Sequence, residues 1–339
     1  MSFQEAKQVV RDHYAALASA TPETVADRLA ENTTRDWHWR GMHPFYEHHG
    51  AAAVAANFYE PFLSAMTKVQ RREDIFFAGL NMIDGYTSTW VTSMGHLMGL
   101  FDAPFLGIPP TRKIVMLRYA EFNRVENGKI VETALFIDLL HLMQQAGVYP
   151  LPPQTGMHLI QPGPMTHDGL QYDDAPEQAG KDTLDLINRM IGDIQANSNS
   201  KENAAPRDAT PQEELAQCWH DDMLWWGPEG IGATYTIDRY IAQHQRPFRT
   251  QLGEREFHGH IARLAEGNYG GFFGWSNLSV VPLGGYMGLP GDGKTRAEMR
   301  VVDIYRRDGD KLAENWIFID VLHFLHMQGL NVLDRMQTV

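Results

Sequence analysis

The strongest constraint on the fold of this chain is an internal repeat. Residues 129–148 and 311–330 align at a constant offset of 182 positions, and eight of the twenty aligned residues are identical. Ordinary amino-acid usage would give roughly one identity in such a window. Weaker matches keep the same order along both halves, so the sequence predicts two tandem copies of one domain. These matches pair Trp39, Gly41, Pro61, Phe62, Gly107 and Pro109 with Trp225, Gly227, Pro247, Phe248, Gly288 and Pro290.

Length and charge agree with two globular domains that bind small molecules. The chain has 339 residues and 43% of them are hydrophobic, so each half can bury a core of its own. The formal net charge of −13 provides no basic surface for nucleic acid or for an anionic membrane. We therefore expect a small-molecule partner.

Cysteine usage and the first residues favour a cytoplasmic location. The single cysteine, Cys218, excludes an intrachain disulfide framework and multi-thiolate metal sites. The first residues are polar where a signal peptide needs an apolar core, and no segment approaches 18 uninterrupted apolar residues. We expect neither export by that route nor a membrane span.

Each half shows the same order of predicted elements. An amphipathic helix comes first, then a short strand that contains tryptophan, a second helix and several extended segments. Helices followed by a meander of strands predict an α+β domain with helices on one face of an antiparallel sheet. The Asn127-Gly128 pair favours a type I′ hairpin turn, and Asp308-Gly-Asp310 takes that place in the second half. The predicted helices are 3–19 and 50–66, then 181–195 and 235–250, and the first half's predicted strands are 74–78, 86–93, 114–124 and 129–137.

Composition shifts mark the domain boundaries. Residues 150–180 contain six prolines, too many for a packed element, and are predicted to be a linker. The domains are then residues 1–149 and 181–339. The polar stretch 197–211 inside the second domain is predicted to be a mobile loop.

Three segments of the first half resemble the SnoaL-like polyketide and ester cyclase family. They are residues 105–113 (FLGIPPTRK), 126–132 (ENGKIVE) and 137–147 (IDLLHLMQQAG). The resemblance is strongest over 95–148 and recurs, weakened, over 276–330. It implies two tandem domains of the nuclear-transport-factor-2-like superfamily, in each of which a curved antiparallel sheet wraps around helices to form a cone-shaped pocket. The same fold carries several kinds of enzyme as well as binding proteins.

The resemblance also implies catalytic residues. In SnoaL-like cyclases an aspartate near the end of the last strand is the general acid/base, and Asp138 and Asp320 match that position. A histidine in the strand before the Gly-Ile-Pro-Pro segment often lines the same pocket, and His96 matches it. The second half departs here, since Asn277 stands opposite His96 and Gly-Leu-Pro-Gly-Asp-Gly-Lys replaces the family's Pro-Pro-Thr-Gly-Lys pattern. In the first half, Arg112 replaces the last glycine of that pattern.

Strand alternation gives a physical argument for the same two aspartates. Alternate residues of the last strand share a face, so one face is aromatic with a carboxylate at each end and the other is mostly core. A carboxylate beside aromatic side chains loses solvation, which raises its pKa toward the range where it can take a proton from carbon. The alternative is that each aspartate caps the closing helix, and both roles are compatible. The acidic and aromatic faces are Glu132, Ala134, Phe136 and Asp138, and Glu314, Trp316, Phe318 and Asp320.

Two histidines follow the aspartates by three residues. His141 and His323 would lie near the same face of the closing helix and would tune or hold the aspartate. The alternative is a histidine packed at an interface between the copies or between subunits.

Two arginines and several aromatic residues are candidates for substrate binding. Arg118 and Arg300 lie in mid-strand, where a guanidinium would neutralise an enolate or bind a carboxylate. A cross-strand ion pair with Glu132 or Glu314 is an equally good interpretation. The remaining candidates are Trp39, Trp225, Phe136, Trp316 and Asn277, although aromatic residues on strands usually belong to the core.

Two histidine clusters suggest a metal site only weakly. His43, His48 and His49 lie in a turn that contains proline, and His258 and His260 share a strand face. Neither cluster has an acidic or thiol partner at a familiar ligand spacing, so no metal is expected.

The leading hypothesis is a cofactor-independent enzyme in which Asp138, and Asp320 with it, moves a proton α to a carbonyl, assisted by His96. Cyclisation, isomerisation and dehydration share this first step. One alternative is a pair of cones that only bind a small apolar ligand. Another is specialisation, in which the first copy is active and the second is its built-in partner, in an intrachain pseudo-dimer or a homo-oligomer.

Overall fold

The computed structural model describes residues 2–198 and 210–336, and the chain forms two units. The first unit comprises Met1–Pro150, Ile160–Asp174 and Gly329–Val339, and the second comprises Leu151–Leu159 and Ala175–Gln328. Most of the stretch 197–211, predicted to be a mobile loop, lies outside the described residues.

The first unit is a six-stranded sheet with helices on one face. The strand order is β2-β1-β6-β5-β4-β3, and every neighbouring pair is antiparallel except β1 and β6, which are parallel. The predicted α+β fold is confirmed, and its sheet is antiparallel apart from this one parallel pair, because the first and last strands are joined by a connection long enough to bring them back in the same direction. The strands are β1 (Thr33–Gly41), β2 (Tyr46–His49), β3 (Met66–Leu80), β4 (Thr89–Phe101), β5 (Ile114–Glu126) and β6 (Lys129–Ile137). The helices are α1 (Phe3–Ala18), α2 (Val25–Asn32), α3 (Ala51–Val54), a π-helical turn (Ala55–Tyr59), α4 (Glu60–Ala65) and α5 (Leu139–Gln145).

The second unit repeats this arrangement. Its main strand order is β10-β11-β12-β13-β7-β8, with β9 also paired to β11 and with β7 parallel to β13. Two short strands, β9 and β10, occupy the place of the single long strand β3. The strands are β7 (Trp219–Trp226), β8 (Ala233–Tyr235), β9 (Leu252–Phe257), β10 (Ala262–Glu266), β11 (Tyr269–Pro282), β12 (Ala297–Asp308) and β13 (Lys311–Ile319). The helices are α6 (Glu177–Ser198), α7 (Pro211–Ala216), α8 (Ile237–Tyr240), a π-helical turn (Ile241–Gln245), α9 (Arg246–Gln251), a 3-10 turn (Tyr286–Gly288) and α10 (Val321–His326). The chain ends with α11 (Val332–Arg335), which belongs to the first unit.

Local sequence signals account for several of these elements. Ser2 and Glu5 form a capping box that begins α1, and Val10 and Tyr14 lie buried four residues apart on its inner face. The β5–β6 turn has positive φ at both central residues, 50° at Asn127 and 75° at Gly128. The type I′ turn predicted from this Asn-Gly pair is confirmed.

The proline-rich segment 150–180 is packed rather than free. In the first unit, the backbone N–H of Phe76 donates to the carbonyl of Gly169 at 2.8 Å. In the second unit, Met157 pairs with Ala233 across an isolated β-bridge. Non-proline residues between the prolines keep their N–H groups and pair with strand edges, which composition alone does not reveal.

Of the described helices, none is long and apolar enough to cross a membrane. Cys218 is buried. The cytoplasmic location expected from cysteine usage stays a prediction.

Candidate functional site

The second unit contains a cavity between its sheet and its helices. Its volume is about 180 Å³. Much of its apolar wall is formed by Trp225, Phe257, Phe272 and Met299. Residues of α6 and α7 line it on the helix side. The polar or charged side chains that line it are Asp303, Tyr240, His244, Gln245, Arg249, His260, Asn277, Tyr305 and Asn315.

A carboxylate projects into this cavity from the middle of β12. Asp303 is 8% exposed, and Nδ2 of Asn315 donates to its Oδ1 at 3.0 Å. The hydroxyl of Tyr305 also hydrogen-bonds to it. Burial raises the pKa of Asp303 to about 7, although both hydrogen bonds act in the opposite direction. A carboxyl with a pKa near 7 exchanges protons readily at neutral pH.

Two histidines line the same cavity as neutral rings. His244 stacks on Trp225 with ring centroids 4.0 Å apart, and burial lowers its pKa to about 3. His260 stacks on Phe272 at 3.9 Å, and burial together with the nearby charge of Arg263 lowers its pKa to about 3. Neither ring carries a positive charge at neutral pH, so no imidazolium neutralises Asp303.

The first unit places an acid at the equivalent strand position. Glu121 of β5 pairs with Leu135 as Asp303 pairs with Ile317, and both pairs are related by the repeat offset of 182. Glu121 is 1% exposed, and Nη2 of Arg71 lies 3.1 Å from its Oε2. Burial raises the pKa of this carboxyl, but the Arg71 charge and a hydrogen bond from Asn123 outweigh burial, and the resulting pKa lies below the ordinary value.

Arg71 lines a cavity of about 520 Å³ in the first unit and supplies a charge that the second unit lacks at the equivalent position. Its guanidinium lies 3.8 Å from the ring centroid of Tyr14 and 4.5 Å from that of Tyr119. Strand pairing identifies the counterpart of Arg71, because Arg71 faces Leu97 of β4 as Phe257 faces Leu278 of β11. Phe257 lines the cavity but supplies no charge. Among the described residues, no cation forms an ion pair with Asp303.

The π-helical turns also differ in polarity between the two copies. They align at an offset of 186, which sets Phe58 against His244. Phe58 packs on Trp39 with centroids 5.5 Å apart, as His244 packs on Trp225. The first unit is therefore apolar where the second presents an imidazole to its cavity. Such π-helical turns are frequent at functional sites.

The aspartates singled out from the sequence are helix caps. Oδ1 of Asp138 accepts the backbone N–H of His141 at 3.1 Å, and Oδ1 of Asp320 accepts that of His323 at 3.2 Å. Asp138 also lies 3.8 Å from Nη1 of Arg118, within the range of an ion pair. The capping role that was the alternative interpretation is therefore present in both copies.

The sheet face that lines the cavity is not the face expected from the sequence. The cavity is lined by Asn315, Ile317 and Ile319 of β13, whereas the acidic and aromatic set was expected there. Strand alternation puts this set on the opposite face, so the prediction that Asp320 faces the pocket is corrected. The cavity lining also lacks Trp316, Phe318, Arg300 and His323.

The other predicted site residues fall into two groups. Trp225 and Asn277 line the cavity, and Oδ1 of Asn277 accepts the backbone N–H of Val301 at 2.8 Å. On the opposite face of the first sheet, His96 lies 3.3 Å from Asp74 and is the cross-strand partner of Arg118. Trp39, Phe136 and Trp316 are fully buried, and Arg300 lies 3.5 Å from Asp320 and 4.2 Å above the ring of Trp275.

The histidine clusters are not arranged around a common point. Nδ1 of His43 lies 2.7 Å from the hydroxyl of Tyr46, and Nε2 of His48 lies 2.8 Å from the carbonyl of Phe45. Within residues 2–198 and 210–336, no three or more His, Cys, Asp or Glu side chains are grouped to hold a metal ion.

Sequence reasoning missed Asp303, Glu121 and His244. A signal for the first two was present, because each acid stands in mid-strand among apolar neighbours and the two align at the repeat offset of 182. An acid repeated at such a position indicates a buried carboxyl.

The matches to known proteins each cover less than half of the chain. A family model described as SnoaL-like polyketide cyclase matches residues 8–146. A solved structure from Jannaschia, described as a SnoaL-like polyketide cyclase, is 19% identical to this chain with a TM-score of 0.34. The alignment covers 44% of this chain and 94% of the Jannaschia chain. A nuclear-transport-factor-2-like protein from Burkholderia thailandensis is 23% identical, with a TM-score of 0.32, and covers 43% of this chain and 98% of its own.

No curated protein matches this chain. The family match covers the first repeat, and the second repeats its strand order and its helix positions. The first repeat is therefore similar to the SnoaL-like polyketide cyclase family over residues 8–146.

Proposed function

We propose that the second unit carries the active site of a cofactor-independent enzyme and that Asp303 is its general acid/base. The observation that carries this proposal is a carboxyl in a largely apolar cavity, with a pKa raised by burial to about 7 and with no cation paired to it among the described residues. Such a group takes a proton from a carbon acid and returns it at neutral pH.

The reaction begins with removal of a proton α to a carbonyl. The Asp303 carboxylate accepts the proton, and the electron pair of the C–H bond moves toward the carbonyl oxygen. Return of the proton to another carbon gives an isomer, and attack of the enolate on a second carbonyl of the same molecule gives a ring. Isomerisation and aldol cyclisation therefore need the same base.

The cavity limits the size of the substrate. A cavity of about 150 Å³ is large enough to hold benzene. The volume of about 180 Å³ therefore suits a molecule with one ring or a short chain. The aromatic side chains of the cavity wall favour a substrate with an apolar body. The Asp303 carboxylate disfavours a substrate that carries a negative charge next to it.

The first unit serves a structural role in this proposal. Its acid is already paired with Arg71, which also lines the first unit's own cavity of about 520 Å³. Asp138 and Asp320 act as helix caps. This proposal reverses the division of labour considered from the sequence, because it makes the second copy the active one and the first its partner.

Exchange of α-protons for deuterium tests the proposal without knowledge of the natural substrate. The full-length protein is incubated in D₂O with cyclohexanone or 2-cyclohexenone, and loss of the α-proton signals is followed by NMR. We expect Asp303→Asn to abolish protein-dependent exchange. Glu121→Gln is the matched control in the other copy and is expected to retain it.

Equal exchange by wild type and Asp303→Asn would overturn the proposal. Tight binding of these ketones without any exchange in either protein would instead favour a binding protein for small apolar ligands. That second function is compatible with the aromatic cavity wall, but it gives no role to the raised pKa of Asp303.

A further inference from the structure

The imidazole of His260 is held in one orientation by Arg263. Nη2 of Arg263 lies 2.8 Å from Nδ1 of His260, and its Nε donates to the same atom at 3.2 Å. Nη1 of Arg263 donates to Oδ1 of Asn188 on α6 at 2.6 Å, which fixes the guanidinium in turn. The ring of His260 also lies flat on Phe272, with an interplanar angle of 10°.

These contacts decide which ring nitrogen carries the proton. A guanidinium has only donors, so Nδ1 of His260 must present a lone pair to Arg263. A neutral imidazole then carries its single proton on Nε2. Among the described residues, none hydrogen-bonds to that Nε2. His260 therefore has one N–H donor available, and it lines both the cavity that contains Asp303 and a second opening beside His258 and Trp275.

We propose that Nε2–H of His260 donates the hydrogen bond that stabilises the substrate oxyanion, with Arg263 as the positioning residue that fixes this tautomer. The inference rests on the proposed function, since it supplies the electrophile for the base Asp303. It also narrows the substrate to an uncharged ketone or ester whose carbonyl oxygen becomes negative during the reaction.

The proton transfer balances with these two groups alone. Asp303 takes the proton as the α C–H bond breaks, and the electron pair of that bond forms a carbon–carbon double bond. The carbonyl π pair moves to oxygen, where the N–H of His260 stabilises the charge. Return of the proton from the Asp303 carboxyl reverses the shift at the original or at a conjugated carbon. No oxidant, reductant or metal is needed for this step.

A neutral donor suits this task better than an imidazolium here. A positive ring next to the cavity would pair with Asp303 and lower its basicity. Arg263 and burial together keep the ring uncharged, so the donor and the base coexist in one cavity. Preorganised donors of this kind stabilise developing negative charge because they need no reorientation during the reaction.

The first unit lacks this device. Arg263 faces Phe272 across the strands, and Phe272 in turn faces Asp303. At the corresponding place in the first unit, Ser93 faces Glu121, and its hydroxyl bonds to Tyr119 at 2.7 Å. The proposed oxyanion donor therefore belongs to the second copy alone.

The tautomer is tested on the full-length protein labelled with ¹⁵N-histidine. We expect His260 to show a protonated Nε2 and an unprotonated Nδ1 at pH 7, and we expect Arg263→Gln to give a mixture of tautomers. A protonated Nδ1 in the wild type would overturn the proposal.

The donor role is tested with 4-nitrophenolate, whose charged oxygen resembles an enolate. The Asp303→Asn protein is used because its uncharged side chain does not repel the probe. We expect the probe to shift the Nε2–H resonance of His260 and to bind ~10-fold or more weakly when His260→Gln is added, as expected for loss of a hydrogen bond to a charged oxygen. His258→Gln is the matched control, since His258 is exposed and bonds to Ser276 and Ser279.

Unchanged affinity in the His260→Gln background, or a larger loss from His244→Gln, would overturn the proposal. Failure of the proposed function would look different. In that case the wild type would catalyse no α-proton exchange, while the His260 resonance would still respond to the probe.

Discussion

Arg71 and Phe257 occupy equivalent strand positions in the two copies, and of the two only Arg71 carries a charge. Nη2 of Arg71 lies 3.1 Å from Glu121, whereas Phe257 lines a cavity that contains Asp303. The Arg71 charge helps to lower the pKa of Glu121, whereas Asp303 has no such ion pair among the described residues and burial raises its pKa to about 7.

Phe257→Arg is expected to convert the second site to the state of the first. An opposite charge within hydrogen-bonding range lowers the pKa of an aspartate by ~1–3 pH units. The Asp303 carboxyl should then titrate well below 7, and α-proton exchange at pH 7 should fall at least ~10-fold as the base weakens and the cavity fills. ¹³C NMR of labelled aspartate and the exchange assay measure both effects, and Phe257→Leu is the uncharged control. A titration midpoint that stays near 7 in Phe257→Arg would contradict the comparison of the two copies.

The exchange rate should rise with pH and level off above neutrality. Asp303 acts as a base only when ionised, so the midpoint of the profile should lie near its pKa of about 7. Tyr305→Phe removes a hydrogen bond that lowers this pKa and should move the midpoint upward by ~1 pH unit. Rates measured from pH 5 to 9 test this, and a profile that is flat across that range would rule out Asp303 as the base.

Asp303 should also cost stability at neutral and alkaline pH. Its pKa in the folded state is about 7, above its ordinary value of 3.8, so the folded protein binds the extra proton between these two pH values. The free energy of unfolding should therefore fall as pH rises from about 4 to 7, by up to ~4 kcal/mol from this group. Asp303→Asn removes the penalty and should raise the midpoint of thermal unfolding at pH 8. Equal stability of the two proteins at pH 8 would show that the carboxylate is well solvated.

Asp138→Ala should affect stability rather than activity. Oδ1 of Asp138 caps α5, and loss of such a cap costs ~1 kcal/mol, with more expected here because Arg118 loses its carboxylate partner. Denaturant unfolding should register the loss, and α-proton exchange measured well below the unfolding transition should be unchanged. Asp138→Asn retains an acceptor for the cap, so its free energy of unfolding should lie between those of the wild type and Asp138→Ala. Loss of exchange in a folded Asp138→Asn protein would restore the catalytic role first inferred for this residue.

The sequence was sufficient to predict the fold because the repeat and the family motifs carry it. The sequence from Glu126 onward predicted the hairpin turn at Asn127-Gly128 and gave the helix cap at Asp138 as the alternative to a catalytic role, since both depend on neighbours within a few positions. The parallel pairing of β1 with β6 escaped prediction because it depends on where a distant strand returns. The pairing of the proline-rich segment with strand edges escaped prediction for the same reason.

The candidate site was predicted less well because a one-residue difference moves a strand side chain to the other face. Alternation correctly grouped Asp320 with the acidic and aromatic face of the last strand. Nothing in the strand itself shows which of its two faces lines the cavity. That choice depends on the helices, which cover the face of Asp303 and Asn315. The Arg71–Glu121 pair joins two strands that are 50 residues apart in sequence. Such a pairing becomes visible only when the sheet register is known.

The most direct test of this account is a titration of the aspartate side chains by ¹³C NMR in the wild type, with Asp303→Asn to assign the resonance. We expect one carboxyl resonance with a midpoint near pH 7 that is absent from Asp303→Asn. A resonance assigned to Asp303 that titrates near pH 4 would contradict the central claim, because the second cavity would then hold an ordinary solvated carboxylate rather than a base suited to carbon acids.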